Sequence, residues 1–102
     1  IAVRGGNAVT VLLDGNAILD RETLHETLAT GLCLPPWYGR NLDALYDCLT
    51  DVQEETVVVL RDRAALEEHL GGYGRRFMRL LEEVSRENPH IRLEGAGETP
   101  EK

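Results

Sequence analysis

The chain has 102 residues, 42% of them apolar and 28% charged, which fits one soluble globular domain and leaves little room for two. Its 18 acidic and 11 basic residues leave a net charge of −7, which argues against nucleic acid or an anionic membrane as the main partner. That charge fits either plain solubility or attraction to a basic partner, and a cytoplasmic setting is expected because neither a membrane-length apolar run nor a signal peptide is visible.

In chain order, residues 1–7 (IAVRGGN) read as a flexible lead-in, and a domain is expected over residues 8–94. Ala8–Asp14 is β-rich and partly alternating, with Gly15-Asn16 as its turn. Asp20 is placed to cap a helix carrying Leu24, Leu28 and Leu32 at four-residue spacing, and Gly31 is placed to end it. Pro35 and Pro36 force an extended entry to the next segment. There Asn41 can cap a second helix from Leu42 to about Asp51. Thr56–Leu60 is continuously apolar after Thr56, as in a central parallel strand covered on both faces.

Asp62 starts a short helix to about Leu70, broken by the glycines at 71, 72 and 74. Phe77, Leu80, Leu81 and Val84 then mark a longer amphipathic helix ending near Asn88-Pro89. His90–Glu94 can form a short edge strand, and residues 95–102 read as a disordered tail. Strands alternating with helices imply parallel pairing. The expected fold class is therefore α/β: two layers, with a three-stranded parallel sheet and about four helices. Cys33 and Cys48 sit in apolar patterns that suit small buried hydrophobes; a disulfide is allowed on count alone, without the density of a secreted scaffold.

The second predicted helix carries the most informative pattern. Leu42, Leu45 and Leu49 share a core face, whereas Asp43, Asp47 and Asp51 form a stripe beside Tyr46. Like charges four residues apart cost a helix about 0.2–0.5 kcal/mol per pair. Asp43 is offset by the helix dipole, and Asp51 is at the unfavourable end of it. A charge run of this kind is ordinarily a solvated face. Trp37 and Tyr38, in the loop ahead of the helix, are either interface aromatics or core anchors of the loop, with one of the pair expected in the core. Glu83 and Glu87 repeat the four-residue spacing on the last helix, where pairing with Arg79 and Arg86 accounts for them by spacing alone.

The run LPPWYGRNLDALYDCLTD resembles the signature segment of the barstar family of ribonuclease inhibitors, and LHETLATGLCLP resembles that family's first helix and its exit. The resemblance is strong from Leu24 to Thr50 and colinear over Val9–Leu93. It implies the barstar-like fold and a non-enzymatic, intracellular inhibitor whose second helix and preceding loop plug the active site of a barnase-like ribonuclease. The implied partner is thus a basic ribonuclease bound as a 1:1 heterodimer by a monomer, with no direct nucleic-acid binding, no membrane, no metal and no cofactor. By the same resemblance Asp47 is the central anion, standing where the substrate phosphate would lie, and Asp43 a second one. Trp37 and Tyr46 take aromatic interface positions, Gly39 and Asn41 match the loop motif, Glu83 matches an acid of the last helix that reaches the enzyme, and Glu87 a more peripheral one. Two aromatic positions depart from the family pattern, at 37 and 46, and Arg40 adds a cation at the edge of the anionic surface.

Two other readings stand beside this one. Paired carboxylates also serve acid–base chemistry or metal binding. Against that, Ser85 is the only serine and lies in a helical pattern, and His25, His69 and His90 are scattered, each expected at the surface or half-buried. GGYG at 71–74 lacks the strand–turn–helix context of a phosphate loop. The remaining reading is a barstar-like interaction module for a different basic toxin or a partner that is not a nuclease.

Overall fold

The computed structural model describes residues 9–95. The expected lead-in, residue 8 of the expected first strand, and all of the expected tail except Gly95 lie outside the described residues. Three strands and four helices follow in the order β1 (Val9–Asp14), α1 (Arg21–Leu32), α2 (Leu42–Thr50), β2 (Thr56–Arg61), α3 (Arg63–Leu70), α4 (Gly72–Glu87) and β3 (Ile91–Glu94). The sheet order is β1-β2-β3 and both pairings are parallel, with Val11 opposite Val58 and Val58 opposite Leu93. This is the expected barstar-like α/β fold.

Both crossovers step in the same direction across the sheet. Right-handed connections then place both helix pairs on one face, which makes the molecule two layers rather than three. Val11, Leu13, Val58, Leu60 and Ile91 point into that layer and are buried against Leu24, Leu28, Leu45, Leu49, Phe77, Leu81 and Val84. The other face is only partly covered: Val57 is buried, but Val59 is half-buried and Leu12 is 46% exposed. The apolar run of β2 thus reflects its central position between two strands more than full cover on both faces.

Local signals set the helix ends. Asp20 accepts from the Thr23 amide at 2.8 Å, and Asn41 accepts from the Ala44 amide at 2.8 Å, so both predicted caps form. Asp62 precedes α3, but it adopts a left-handed conformation and makes no cap bond with its side chain, which instead accepts from Asn16. Gly31 does not end α1. The helix runs on to Leu32, and Cys33 takes the left-handed cap position at φ 55°. Gly31 serves close packing instead, since a Cβ there would stand 3.0 Å from the Val11 side chain. Cys33 is consequently exposed rather than buried, Cys48 is half-buried, and both thiols are free. Of the three glycines expected to break the third helix, only Gly71 does so, at φ 60°. Gly72 and Gly74 already belong to α4.

Candidate functional site

The site is built on α2 and its entry loop. Leu45 and Leu49 are fully buried on the inner side of α2. Burial of a leucine contributes about 1.5–3 kcal/mol, several times the cost of a like-charge pair on the outer side. The helix can therefore hold Asp43 and Asp47 exposed one turn apart without losing its place. Its far end is fixed by Asn88, a buried residue whose side-chain amide donates to the Leu49 and Val52 carbonyls, both at 2.9 Å. Its near end is fixed by Asn41, whose amide also donates to the Gly39 carbonyl at 3.2 Å.

The entry loop turns its two aromatics in opposite directions. The Tyr38 amide donates to the Pro35 carbonyl at 2.9 Å, closing a turn. Tyr38 points inward and is 7% exposed, with its hydroxyl 2.5 Å from His25 Nδ1. It is the core anchor of the pair and offers little surface to a partner. Trp37 is 81% exposed. Gly39 and Arg40 lie beyond it at the surface, and Arg40 sits in the left-handed region at φ 57° with its guanidinium 3.1 Å from Glu26.

Helix α4 brings the second set of acids. The Tyr46 hydroxyl donates to the Glu87 carboxylate across the α2–α4 boundary. That bond, then desolvation and the charges of Glu87, Glu83 and Asp47, push the Tyr46 phenol up to about 12. One ring thus lies in the field of acids from both helices. Beside it is a cleft of about 260 Å³ lined by Leu42, Asp43, Tyr46, Arg76, Arg79, Leu80 and Glu83. The intrahelical pairing expected for these acids is not what forms: Glu87 is engaged by Tyr46, and Glu83 makes no ion pair among the described residues. Asp51 stands apart at the C-terminal cap of α2.

Among the described residues no group of three or more His, Cys, Asp or Glu side chains is arranged to hold a metal ion, and no helix is long and apolar enough to cross a membrane. The three histidines serve the fold. His69 Nδ1 donates to the Gly15 and Ile18 carbonyls at 3.0 and 3.1 Å, and His90 lies 2.9 Å from Glu55.

Residues 8–97 match the family model described as Barstar (barnase inhibitor). The chain belongs to the barstar family. It is also 36% identical over 78 residues to a Bacillus subtilis (strain 168) protein named "Putative ribonuclease inhibitor YrdF", an alignment that covers 76% of this chain and 86% of that protein. The barstar family is one of inhibitors, and this chain is accordingly a binding protein rather than an enzyme.

Within this barstar-family site, His25 is the residue that sequence reasoning placed wrongly. It is 2% exposed, with Nδ1 on the Tyr38 hydroxyl and Nε2 2.7 Å from the Tyr73 hydroxyl. Desolvation first, then the charges of Arg40 and Arg21, hold its pKa below the ordinary histidine value. A neutral ring donates through one nitrogen and accepts through the other, which matches two hydroxyl partners. The available signal was its place beside Leu24 on a widened 24-25-28 stripe of α1. Tyr73, with Arg21 and Arg76 over its ring, was also missed. Nothing in the local pattern joins residues of α1 to the start of α4.

Proposed function

We propose that the chain is an intracellular immunity protein that inhibits a secreted guanyl-specific ribonuclease of the barnase type. A ribonuclease that binds phosphodiesters needs a cationic cleft. A rigid helix presenting carboxylates offers that cleft a polyanion with no bond to cleave. The observation that carries this reading is the convergence of Asp43 and Asp47 from α2 with Glu83 and Glu87 from α4 around Tyr46, headed by the exposed Trp37. Asp47 is the central anion in this scheme, Asp43 and Glu83 flank it, and Trp37, Gly39 and Asn41 form the loop side of the contact. Tyr38 holds that loop from beneath.

The barstar family match and the ribonuclease-inhibitor name of the Bacillus relative support a ribonuclease as the protein partner. Complex formation is 1:1, between monomers, in the cytoplasm. A net charge of −7 speeds encounter with a basic enzyme, and salt screens that attraction. The test is inhibition of a small bacterial guanyl-specific ribonuclease at low and moderate salt. Stoichiometric inhibition whose onset slows as salt rises is the expected result. Undiminished RNA cleavage at a stoichiometric excess of this chain, at both salt levels, overturns the reading.

A further inference from the structure

The acidic face has a cationic rim for which a phosphate-mimicking plug has no use. Arg21, the first residue of α1, places its guanidinium carbon 4.8 Å from the centre of the Tyr73 ring, and Arg76 places its own at 5.6 Å. Beside them is a second cleft of about 260 Å³, lined by Arg21, Glu22, His25, Arg40, Asn41 and Tyr73. Among the described residues no carboxylate lies within ion-pairing distance of Arg21 or Arg76. Arg40 pairs with Glu26, and both of those side chains are more than half exposed. In a chain of net charge −7, Arg21 and Arg76 over one ring stand without an ion-pair partner among the described residues, while Arg40 lines the adjoining cleft with Glu22.

The cationic rim is preorganised. Tyr73 is held from the core side by His25, which is itself held by Tyr38. The ring therefore fixes the two guanidiniums that lie over it, and less rotamer freedom is lost when they bind. Planar guanidinium forks match a carboxylate in two-pronged geometry. The low pKa of the buried His25, caused in part by Arg40 and Arg21, agrees with a concentrated positive field there. The rim is also continuous with the acidic site. Asn41 lines it and caps α2, while Arg76 also lines the cleft that contains Asp43 and Glu83.

We propose that Arg21 and Arg76, stacked on Tyr73, together with Arg40 in the adjoining cleft, form a receptor for a carboxylate side chain of the partner ribonuclease, beside the acidic plug. This rests on the inhibitor reading above. It deepens that reading by adding a selector: among basic ribonucleases, those with an acid at the matching rim of the active-site cleft are held, and those with a cation there are repelled.

The test compares Arg21→Gln/Arg76→Gln, Arg21→Glu/Arg76→Glu and Asp47→Ala with the wild-type chain. Dissociation is measured from a small guanyl-specific ribonuclease that the wild-type chain inhibits. The substituted arginines are at the surface, and thermal unfolding confirms that each variant folds. The glutamate pair takes the net charge from −7 to −11, so general attraction to a basic enzyme predicts faster association and tighter binding. The receptor predicts the opposite: dissociation about tenfold faster for the glutamine pair and faster still for the glutamate pair. Wild-type dissociation rates in both pairs, or tighter binding by the glutamate pair, while Asp47→Ala still weakens the complex, overturn the receptor and leave the inhibitor reading standing. Failure of the wild-type chain to inhibit any such ribonuclease overturns the inhibitor reading, and the receptor with it.

Discussion

Tyr46 of α2 donates its hydroxyl to Glu87 of α4, forty-one positions away, and so binds the two acidic helices into one face. The carboxylate favours the protonated phenol, which is why the Tyr46 pKa rises to about 12. In Glu87→Gln the acceptor keeps its shape and loses its charge. We expect Tyr46 to ionise at a lower pH in that variant, toward the ordinary value of 10. A pH titration of the Tyr46 ring carbon by NMR checks this. An unchanged midpoint would mean that the two helices are not linked through this pair.

The opposed directions of Trp37 and Tyr38 separate binding from stability. Trp37 is the only tryptophan and is 81% exposed, so its truncation removes little packing. Trp37→Ala is expected to leave urea unfolding within about 0.5 kcal/mol of wild type, as for most surface substitutions. It is also expected to weaken ribonuclease binding by more than about 1 kcal/mol, the level that marks an interface anchor. Tyr38→Phe should do the reverse. It removes a hydroxyl from a buried histidine and should cost about 1–3 kcal/mol of stability.

What was legible in the sequence was local. The caps at Asp20 and Asn41, the apolar run of β2 and the leucine stripe of α2 each depend on neighbours within a few residues, and each appears where expected. The misplacements concern distant partners. Gly31 reads as a helix stop because its neighbour Val11 lies in another element, and close approach to β1 outweighs the cost of glycine inside a helix. His25 reads as a surface or half-buried residue because Tyr38 and Tyr73, which satisfy it in the core, come from a loop and another helix. The acidic stripe was visible as a pattern on α2. Its union with Glu83 and Glu87 follows from how α2 packs on α4, and spacing alone cannot express that. Arg40 was legible as a cation at the edge of that surface, but its association with Arg21 and Arg76 was illegible for the same reason.

The buried His25 makes stability depend on pH with a definite sign. Its folded pKa lies below the ordinary value of 6.5, so the unfolded chain takes up a proton that the folded chain refuses. Stability from this group is fully present above about pH 6.5 and is lost as pH falls toward the folded pKa. The loss is bounded by the one-proton slope of about 1.4 kcal/mol per pH unit. Urea unfolding between about pH 8 and pH 5.5, above the range where carboxylates titrate, measures it. His25→Gln should flatten the profile relative to wild type. Parallel profiles for the two chains would place the titrating group elsewhere.

Asp47 and Asp51 lie one helical turn apart on the same stripe, and the inhibitor reading assigns them different weights. Asp47 adds to the field around Tyr46 between the two helices, whereas Asp51 caps the end of α2 away from the entry loop. A partner cleft centred on Tyr46 desolvates Asp47 against its cations and leaves Asp51 at the wet margin. Removing one member of a buried charge pair costs on the order of 2–5 kcal/mol, a generalisation for which the barnase–barstar complex is itself the reference case. A margin charge contributes about 0–1 kcal/mol. Asp47→Ala should therefore raise the dissociation rate steeply, with little change in its dependence on salt. Asp51→Ala should only slow association slightly at low salt, an effect that disappears as salt screens it. Stopped-flow association and competition dissociation, run at two salt concentrations, separate these effects. Equal and small losses at both positions would make the stripe a solvated face after all, one that a ribonuclease does not enclose.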